Sequence, residues 1–252
     1  MKYTTVPVNN VRRLQAAMDA LAHRAPSLPG LAVLRGVPGY GKSTAAAYVG
    51  VNFKAIYVRA LAVWSAGAML DALMVELGLV RPGEAPARNK SRKMGEIIAA
   101  LDDEPRPIIV DEADYVMGDK QMAETLRDLH DMCGVAIILI GMDKLMGAIK
   151  SRPQISSRVA HDVQFEALDL TDAKMVAKSL CEVPVADDLV AHLHSAAGGN
   201  IRNIVNGLAH IEALGRSLNL KTVSRADWAD RKLFFSHKPP AAQRPALVAP
   251  AA

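Results

Sequence analysis

The stretch from Gly36 to Ser43 constrains the fold more than any other part of this sequence. It reads Gly-Val-Pro-Gly-Tyr-Gly-Lys-Ser and matches the phosphate-loop pattern G-x-x-x-x-G-K-[ST] at every fixed position. An apolar run at residues 31–35 precedes the loop and predicts a buried strand, and residues 44–49 after it are good helix formers. A strand, a glycine loop and a helix in this order predict a site for a nucleoside triphosphate.

The loop also predicts which residues bind the nucleotide. Backbone N–H groups of such a loop form an anion nest at the positive end of the following helix. We expect Lys42 to reach the β- and γ-phosphates and Ser43 to bind Mg²⁺, so that ATP and Mg²⁺ are the expected cofactors. A glycine-rich turn with an incidental lysine is the alternative, and both flanks argue against it. The expected nucleotide-binding residues of the loop are Gly36, Val37, Pro38, Gly39, Tyr40, Gly41, Lys42, Ser43 and Thr44.

A second apolar run, residues 107–110, ends in two carboxylates, Asp111 and Glu112. We expect Asp111 to hold Mg²⁺ together with Ser43, and Glu112 to act as the general base that deprotonates the attacking water. Acids are also favoured at helix starts, which is the alternative reading of this pair. About seventy residues after a phosphate loop, the pair indicates ATP hydrolysis and not nucleotide binding alone.

The alternation of strands and helices predicts an α/β fold with a parallel five-stranded sheet in a three-layer αβα core. The strands are expected at residues 31–35, 54–58, 107–112, 135–140 and 161–165. Helices are expected at residues 9–24, 64–77, 91–102, 120–132 and 144–149, the first of them capped by Asn9 or Asn10. From Thr171 onward only helices are expected, at residues 171–180, 187–197, 201–217 and 225–234.

We therefore expect a nucleotide-binding domain over 1–168, a small helical lid domain over 169–236 and a disordered Pro/Ala-rich basic tail over 237–252. The chain has no apolar run of 18 residues, no export signal and only two, isolated cysteines, so we expect no membrane association and a cytoplasmic location.

The net charge of +4 comes from the end of the chain. The charged residues after Asp230 are all basic, namely Arg231, Lys232, Lys238 and Arg244, so the first 230 residues are electrically balanced. A nucleic-acid surface on the folded body must therefore arise from the arrangement of charges and not from an overall excess.

The phosphate loop, Asp111-Glu112 and the run Gly198-Gly199-Asn200-Ile201-Arg202 together resemble an AAA+ ATPase. More narrowly, residues 5 to 217 resemble the transposition regulators typified by the B protein of bacteriophage Mu and the target-selection ATPases of transposons. The resemblance implies an ATP-dependent homo-oligomer, a helical filament or a ring, that binds double-stranded DNA largely without sequence specificity. It also implies that the protein selects target DNA and activates a partner transposase.

The resemblance assigns further residues. Arg202 is similar to the sensor-2 arginine that touches the γ-phosphate, and Arg158 resembles the arginine finger that acts on the nucleotide of a neighbouring subunit, with Arg152 as the alternate. Together with Lys42 and Glu112 these form the expected catalytic set. The plainer readings are a helix-start salt bridge for Arg202 and a surface arginine at a strand start for Arg158.

One position departs from the AAA+ pattern. The strand at 135–140 should be followed by a polar sensor-1 residue, but the chain continues Gly141-Met142-Asp143. A carboxylate at Asp143 would repel a γ-phosphate. We therefore expect slow hydrolysis, stimulated by DNA or a partner, which suits a switch better than a motor.

The expected DNA contacts are Arg88, Lys90, Arg92 and Lys93, and the basic residues after Asp230 are a second candidate. A solvated basic loop is the alternative reading. No aromatic residue lies among these cations, so backbone contact with duplex is favoured over stacking on single strands. Two other functions remain open. One is a helicase-loader-type ATPase that acts on single-stranded DNA and on a replicative helicase, and the other is a non-oligomerising nucleotide kinase or small-molecule ATPase.

Overall fold

The computed structural model describes residues 1–81, 83–84 and 89–234. Within these residues the centre of the molecule is a sheet of five parallel strands in the order β2-β3-β4-β1-β5. The strands are β1 (Leu31–Arg35), β2 (Ile56–Arg59), β3 (Ile108–Asp111), β4 (Ile137–Gly141) and β5 (Val159–Gln164). The predicted α/β fold with a parallel five-stranded sheet is confirmed. Arg88 and the predicted tail at 237–252 lie outside the described residues.

Helices connect the strands and then continue alone after β5 in the described chain. Those of the first part are α1 (Asn9–Ala22), α2 (Lys42–Asn52), α3 (Ala66–Glu76), α4 (Lys90–Asp103), α5 (Ala113–Gly118), α6 (Lys120–Cys133), α7 (Lys144–Lys150) and α8 (Pro153–Ser156). Those after β5 are α9 (Leu170–Leu180), α10 (Asp187–Ala197), α11 (Ile201–Ser217) and α12 (Arg225–Trp228). The short helices α5 and α8 were not predicted, and α12 ends earlier than predicted.

The sheet is covered on both faces because successive side chains of a strand point to opposite sides. In β1, Ala32 and Leu34 pack with α1 and α2, whereas Leu31 and Val33 pack into the cluster that contains α3, α4 and α6. Central strands buried on both faces read as continuous apolar runs, which is why they were visible in the sequence.

The apolar core on the α1 and α2 face continues into the helices that follow β5. Phe165 and Leu168, in the connection after β5, join the same cluster as Val176, Leu193 and Ile204 of α9, α10 and α11. The helical lid is therefore packed against the face of the sheet that carries the phosphate-loop helix.

The start of α1 differs from the prediction. Its N-cap is Val8, and Asn9 and Asn10 are the first helical residues. The free N–H of Asn9 is instead accepted by Asp172 Oδ2 of α9 at 3.1 Å. The Asn10 side chain is buried and pairs with the backbone of Glu166, donating from Nδ2 to the carbonyl at 2.8 Å and accepting the N–H at 3.2 Å. Tertiary contacts have replaced a local cap.

None of the described helices is both long and apolar enough to span a lipid bilayer.

We predict that Asn10→Ala lowers the free energy of unfolding by about 2 kcal/mol, because the backbone of Glu166 loses two hydrogen bonds to the buried Asn10 side chain. Asn9→Ala is the matched control, since its side chain is exposed and should change stability by less than about 0.5 kcal/mol. Urea unfolding of both variants measures the difference. Equal losses would show that the Asn10 pairing does not stabilise the fold.

Candidate nucleotide-binding site

The phosphate loop lies between the end of β1 and the start of α2. It contains two glycines, and any other residue at either position would be strained. Gly36 has φ 152° and Gly39 has φ 86°. A Cβ atom at Gly36 would lie 2.7 Å from the carbonyl oxygen of Phe165, and one at Gly39 would lie 2.6 Å from Asn200 Oδ1. The loop is thus closely approached by the chain after β5 and by the lid.

Lys42 folds back over the loop that precedes it. Its Nζ donates to the carbonyl oxygens of Gly36 at 2.6 Å and Val37 at 3.2 Å. Burial lowers the pKa of the Lys42 amine, and the carboxylates of Asp111 and Asp143 act in the opposite direction, as do those of Glu112 and Asp114. Lys42 and these carboxylates supply charges of both signs, which would balance a phosphate group and a metal ion.

Asp111, at the end of β3, has a carboxylate that is fixed from two sides. It is 2% exposed, its Oδ1 accepts the N–H of Glu112 at 2.9 Å, and its Oδ2 accepts the hydroxyl of Tyr57 at 2.7 Å. Burial, and then the hydrogen bond to Asp111, raise the pKa of Tyr57, while an interaction with the Ser43 side chain lowers it. Tyr57 therefore holds one oxygen of the Asp111 carboxylate, and Asp111 and Ser43 line the same cavity.

These two residues fit a magnesium ion. Mg²⁺ prefers oxygen ligands, keeps several waters and is usually bound through one or two carboxylates together with substrate phosphates. A hydroxyl on α2 and a carboxylate on β3, both lining the cavity beside the phosphate loop, supply that donor set. Ser43 and Asp111 would hold the metal, which would neutralise charge on the phosphates.

Glu112 has an unusual backbone conformation and a cationic partner. Its φ of 54° lies in the left-handed region, which is disfavoured for residues other than glycine. Its Oε1 lies 3.3 Å from Nη2 of Arg59, the last residue of β2, and its side chain is one-third exposed. The candidate base is thus held by an arginine that the sequence analysis did not identify, since only the pairing of Arg59 with Asp111 in register places it there.

Strand β4 ends at Gly141 and is followed by Met142 and Asp143. No neutral polar residue that could serve as sensor 1 lies between the strand and Asp143. Asp143 Oδ1 lies 3.4 Å from Arg35, which also forms two hydrogen bonds with Asp162. The N–H of Met142 donates to Asp114 at 2.9 Å, so Asp114 ties α5 to the end of β4. Asp114 was missed in the sequence analysis, although it lies in the run Asp-Glu-Ala-Asp that begins at Asp111.

The lid contacts the phosphate loop through the start of α11. Asn200 caps this helix by accepting the N–H groups of Arg202 and Asn203, and its Nδ2 donates to the carbonyl of Pro38 at 3.0 Å. The N–H of Arg202 also donates to Gly39 at 3.1 Å. The Arg202 side chain is exposed, lines the same cavity as Lys42 and makes no ion pair among the residues that the structure describes.

These elements enclose a cavity of about 600 Å³. Its polar lining includes Lys42, Ser43, Asp111, Glu112 and Arg202, and the loop residues Pro38, Gly39, Tyr40, Gly41 and Thr44 also line it. Its apolar lining includes Val6, Val8, Val11, Phe165, Val176 and Leu180. A cavity of this size, lined by both charged and apolar side chains, fits a nucleotide. Gly36 is buried behind the wall, and Val37 is exposed.

The first eight residues were predicted only as irregular, yet they supply part of the apolar wall. The N–H of Lys2 donates to the carbonyl of Leu180 at 2.7 Å, which lays this segment along the lid. Two apolar residues at alternate positions, Val6 and Val8, were the one signal in the sequence. A pattern this short does not predict that the segment lines a binding site.

Arg158 lies away from the other candidate catalytic residues of its own chain. Its carbonyl accepts the N–H of Leu31 at 2.9 Å, at the start of β1, whereas the phosphate loop follows the end of β1. Five residues of strand separate the two, or roughly 16 Å. Its guanidinium forms two hydrogen bonds with Asp131, one of them 2.6 Å long, which raise the pKa of Arg158 and lower that of Asp131. The alternate, Arg152, donates to Ala148 at 3.1 Å.

The basic cluster is only partly exposed in the described chain. Lys90 and Arg92 are exposed, with Lys90 donating to Gln121 at 3.3 Å and Arg92 pairing with Glu96 at 2.9 Å. Lys93 is 6% exposed and pairs with Asp71 between α3 and α4, so its expected contact with DNA is wrong for this conformation. Lys120, next to Gln121, is 82% exposed in its side chain and extends the basic surface, which the sequence analysis missed.

A phosphate loop, a strand-end acid pair and a parallel sheet in this strand order define a P-loop nucleotide-binding protein. Residues 24–149, half of the 252-residue chain, match the AAA domain family, and the chain belongs to that family. It is an AAA+ protein of the ATPase class. No curated protein matches its sequence.

Solved structures with the same fold include replication and recombination proteins. The chain is 16% identical to Aeropyrum pernix ORC1 in complex with DNA, covering 86% of this chain and 62% of that one, with a TM-score of 0.65. It is 15% identical to the ADP form of A. pernix ORC2, covering 90% and 68%, with a TM-score of 0.68. For the Thermotoga maritima RuvB Holliday junction branch migration motor the identity is 15%, the coverage 88% and 67%, and the TM-score 0.56. The chain thus spans about two-thirds of the length of these proteins, and the likeness is one of fold.

We predict that Glu112→Gln keeps nucleotide affinity but lowers ATP turnover by about 10²-fold to 10⁴-fold, because the amide cannot accept the proton of the attacking water. Nucleotide titration and steady-state phosphate release measure the two properties. Glu104→Gln, at the opposite edge of the sheet, is the control and should leave both unchanged. Loss of ATP affinity in Glu112→Gln would contradict the assignment of this residue as base.

Proposed function

We propose that this protein is an ATPase that assembles on double-stranded DNA in an ATP-dependent manner, selects target DNA and activates a transposase. The observation that carries the proposal is the division of the candidate catalytic groups. Lys42, Glu112 and Arg202 line one cavity, while Arg158 lies at the other edge of the sheet. A chain built in this way completes its site with a second copy.

Hydrolysis is assigned to Glu112 with Lys42 and Arg202 as the cationic partners of the phosphates. Arg59 pairs with Glu112 at 3.3 Å, so this ion pair must open before Glu112 can accept a proton from the attacking water. Asp143 adds negative charge where the phosphates would lie, although Arg35 offsets part of it. Both features support a slow basal rate that rises when DNA or a partner subunit rearranges the edge of the site.

The helices over 169–236 are proposed to act as a lid that responds to the nucleotide. Asn200 and Arg202 touch the phosphate loop through Pro38 and Gly39, so a change in the loop on binding reaches α11 directly. Since α11 packs with α9 and α10 in one core, the lid would move as a unit.

Oligomer formation follows from the position of Arg158. A guanidinium near a transferred phosphoryl group neutralises charge that develops in the transition state. Roughly 16 Å of strand keeps Arg158 from its own nucleotide, so we assign it to the nucleotide of a neighbouring subunit. It must first leave Asp131, which holds it in the isolated chain.

DNA binding is assigned to the exposed cations at the starts of α4 and α6, namely Lys90, Arg92 and Lys120. Both helices start near the carboxyl ends of β2 and β3. Helix α4 leads back to the start of β3 and helix α6 leads back to the start of β4, and Lys90 of α4 contacts Gln121 of α6. These side chains would contact phosphates and not bases. The transposase as partner rests on the resemblance of the motifs to transposition regulators.

We predict that the chain binds duplex DNA only with an ATP analogue, not with ADP or without nucleotide, and that affinity falls steeply with salt. Fluorescence anisotropy over a salt series gives the slope, and negative-stain images of each mixture show whether filaments form. Replacing Lys90 and Arg92 by Gln should lower the log–log slope by about 2, because two phosphate contacts are lost.

The control for this experiment is the double variant Lys178→Gln and Lys221→Gln, which removes two exposed cations from the lid. Binding restricted to single strands would favour the helicase loader, and binding that ignores the nucleotide would contradict an ATP-gated switch. The gene neighbourhood separates the partners: an adjacent transposase gene supports transposition, and an adjacent replicative helicase gene supports the loader.

We predict that Arg158→Ala lowers ATP turnover on DNA by about 10³-fold, and that Lys42→Ala is inactive alone. An equal mixture of the two should regain up to about a quarter of the wild-type rate, the share of interfaces at which a random mixture joins an intact loop to an intact arginine. Arg152→Ala in the same mixture is the control. Rescue with Arg152→Ala but not with Arg158→Ala would assign the role to the alternate.

A further inference from the structure

Tyr57 is a half-buried residue of β2 whose hydroxyl has no assigned role in the proposed reaction. Along β2, Ile56 and Val58 pack on the α3 and α4 face, whereas Tyr57 packs on the α2 face with the phosphate-loop helix. Its register partner on β3 is Ile109, two residues before Asp111. The phenol therefore extends along the sheet toward the end of β3.

The Tyr57 hydroxyl contacts one of the two residues assigned to magnesium. It donates to Asp111 Oδ2 at 2.7 Å, and Ser43, the other proposed ligand, lines the same cavity as Asp111. Oδ1 of Asp111 is meanwhile occupied by the N–H of Glu112. Two donors from different elements fix the plane of this buried carboxylate and leave one lone pair on each oxygen for a metal-bound water or a metal.

We propose that Tyr57 is a positioning residue for the magnesium ion: its hydroxyl orients Asp111 so that the metal–nucleotide complex meets a preformed ligand. This inference rests on the proposed function. Hydrogen-bond partners of metal ligands set ligand orientation, and their loss costs about 10-fold to 100-fold in metal affinity. The phenol ring itself fills space between α2 and the sheet, a packing role that phenylalanine would preserve.

The two roles of Tyr57, packing and orientation, are separated by Tyr57→Phe. The variant keeps the ring and removes the donor, so metal-free nucleotide binding and the thermal unfolding midpoint should stay close to wild type. The affinity for the nucleotide in the presence of magnesium should fall below that of the wild type. Tyr48→Phe is the matched control, because Tyr48 lies exposed on α2 and loses its hydroxyl away from the site.

The experiment is a calorimetric titration of the full chain with a non-hydrolysable ATP analogue, once in Mg²⁺ and once in EDTA. For Tyr57→Phe we expect the Kd in Mg²⁺ to rise about tenfold while the Kd in EDTA stays unchanged. Tyr48→Phe should match wild type in both. Turnover is not part of the readout, so an effect on the catalytic step cannot imitate the result.

Two outcomes would overturn the inference. A Kd that rises equally in Mg²⁺ and EDTA would show that Tyr57 only supports the loop, and an unchanged Kd in Mg²⁺ would show that Asp111 is oriented without it. Failure of the proposed function looks different. In that case the wild-type chain itself would fail to bind the analogue, or would bind it equally well in Mg²⁺ and EDTA.

Discussion

Parallel pairing of the strands is the constraint on which the rest of this structure depends. Because β1, β3 and β4 run in the same direction, the phosphate loop, the Asp111-Glu112 pair and the Gly141–Asp143 turn all meet at one edge. Open sheets of this kind bind ligands at the carboxyl ends of their strands. Arg158 lies at the opposite end of the strands. The parallel arrangement therefore assembles the pocket and also keeps the candidate arginine finger away from it.

The edge strand β2 adds the contacts that organise the two acids. Tyr57 and Arg59 are two residues apart and therefore project from the same side of the strand. One donates to Asp111 and the other pairs with Glu112, so the last residue of β3 and the residue after it are held by alternate residues of β2. The proposed metal ligand thus has a neutral donor as its partner, and the candidate base has a cationic one.

The lid is joined to the site by backbone groups more than by side-chain charge. Asn200 caps α11 and at the same time donates to Pro38, and Gly39 has no room for a Cβ against it. The second link is the buried Asn10, which ties α1 to the connection between β5 and α9. Both are side-chain amides that make two or more hydrogen bonds to backbone groups of other segments or of the helix start.

The sequence alone determined the class of the fold and the positions of the phosphate loop, of Asp111-Glu112 and of the helices α10 and α11. Local patterns carry these, since a glycine loop and strand or helix periodicity depend on near neighbours in the chain. It did not reveal Tyr57, Arg59, Asp114 or the wall formed by Val6 and Val8, and it placed buried Lys93 on the surface. Those depend on strand register and on packing between segments far apart in the chain, which only the tertiary structure decides.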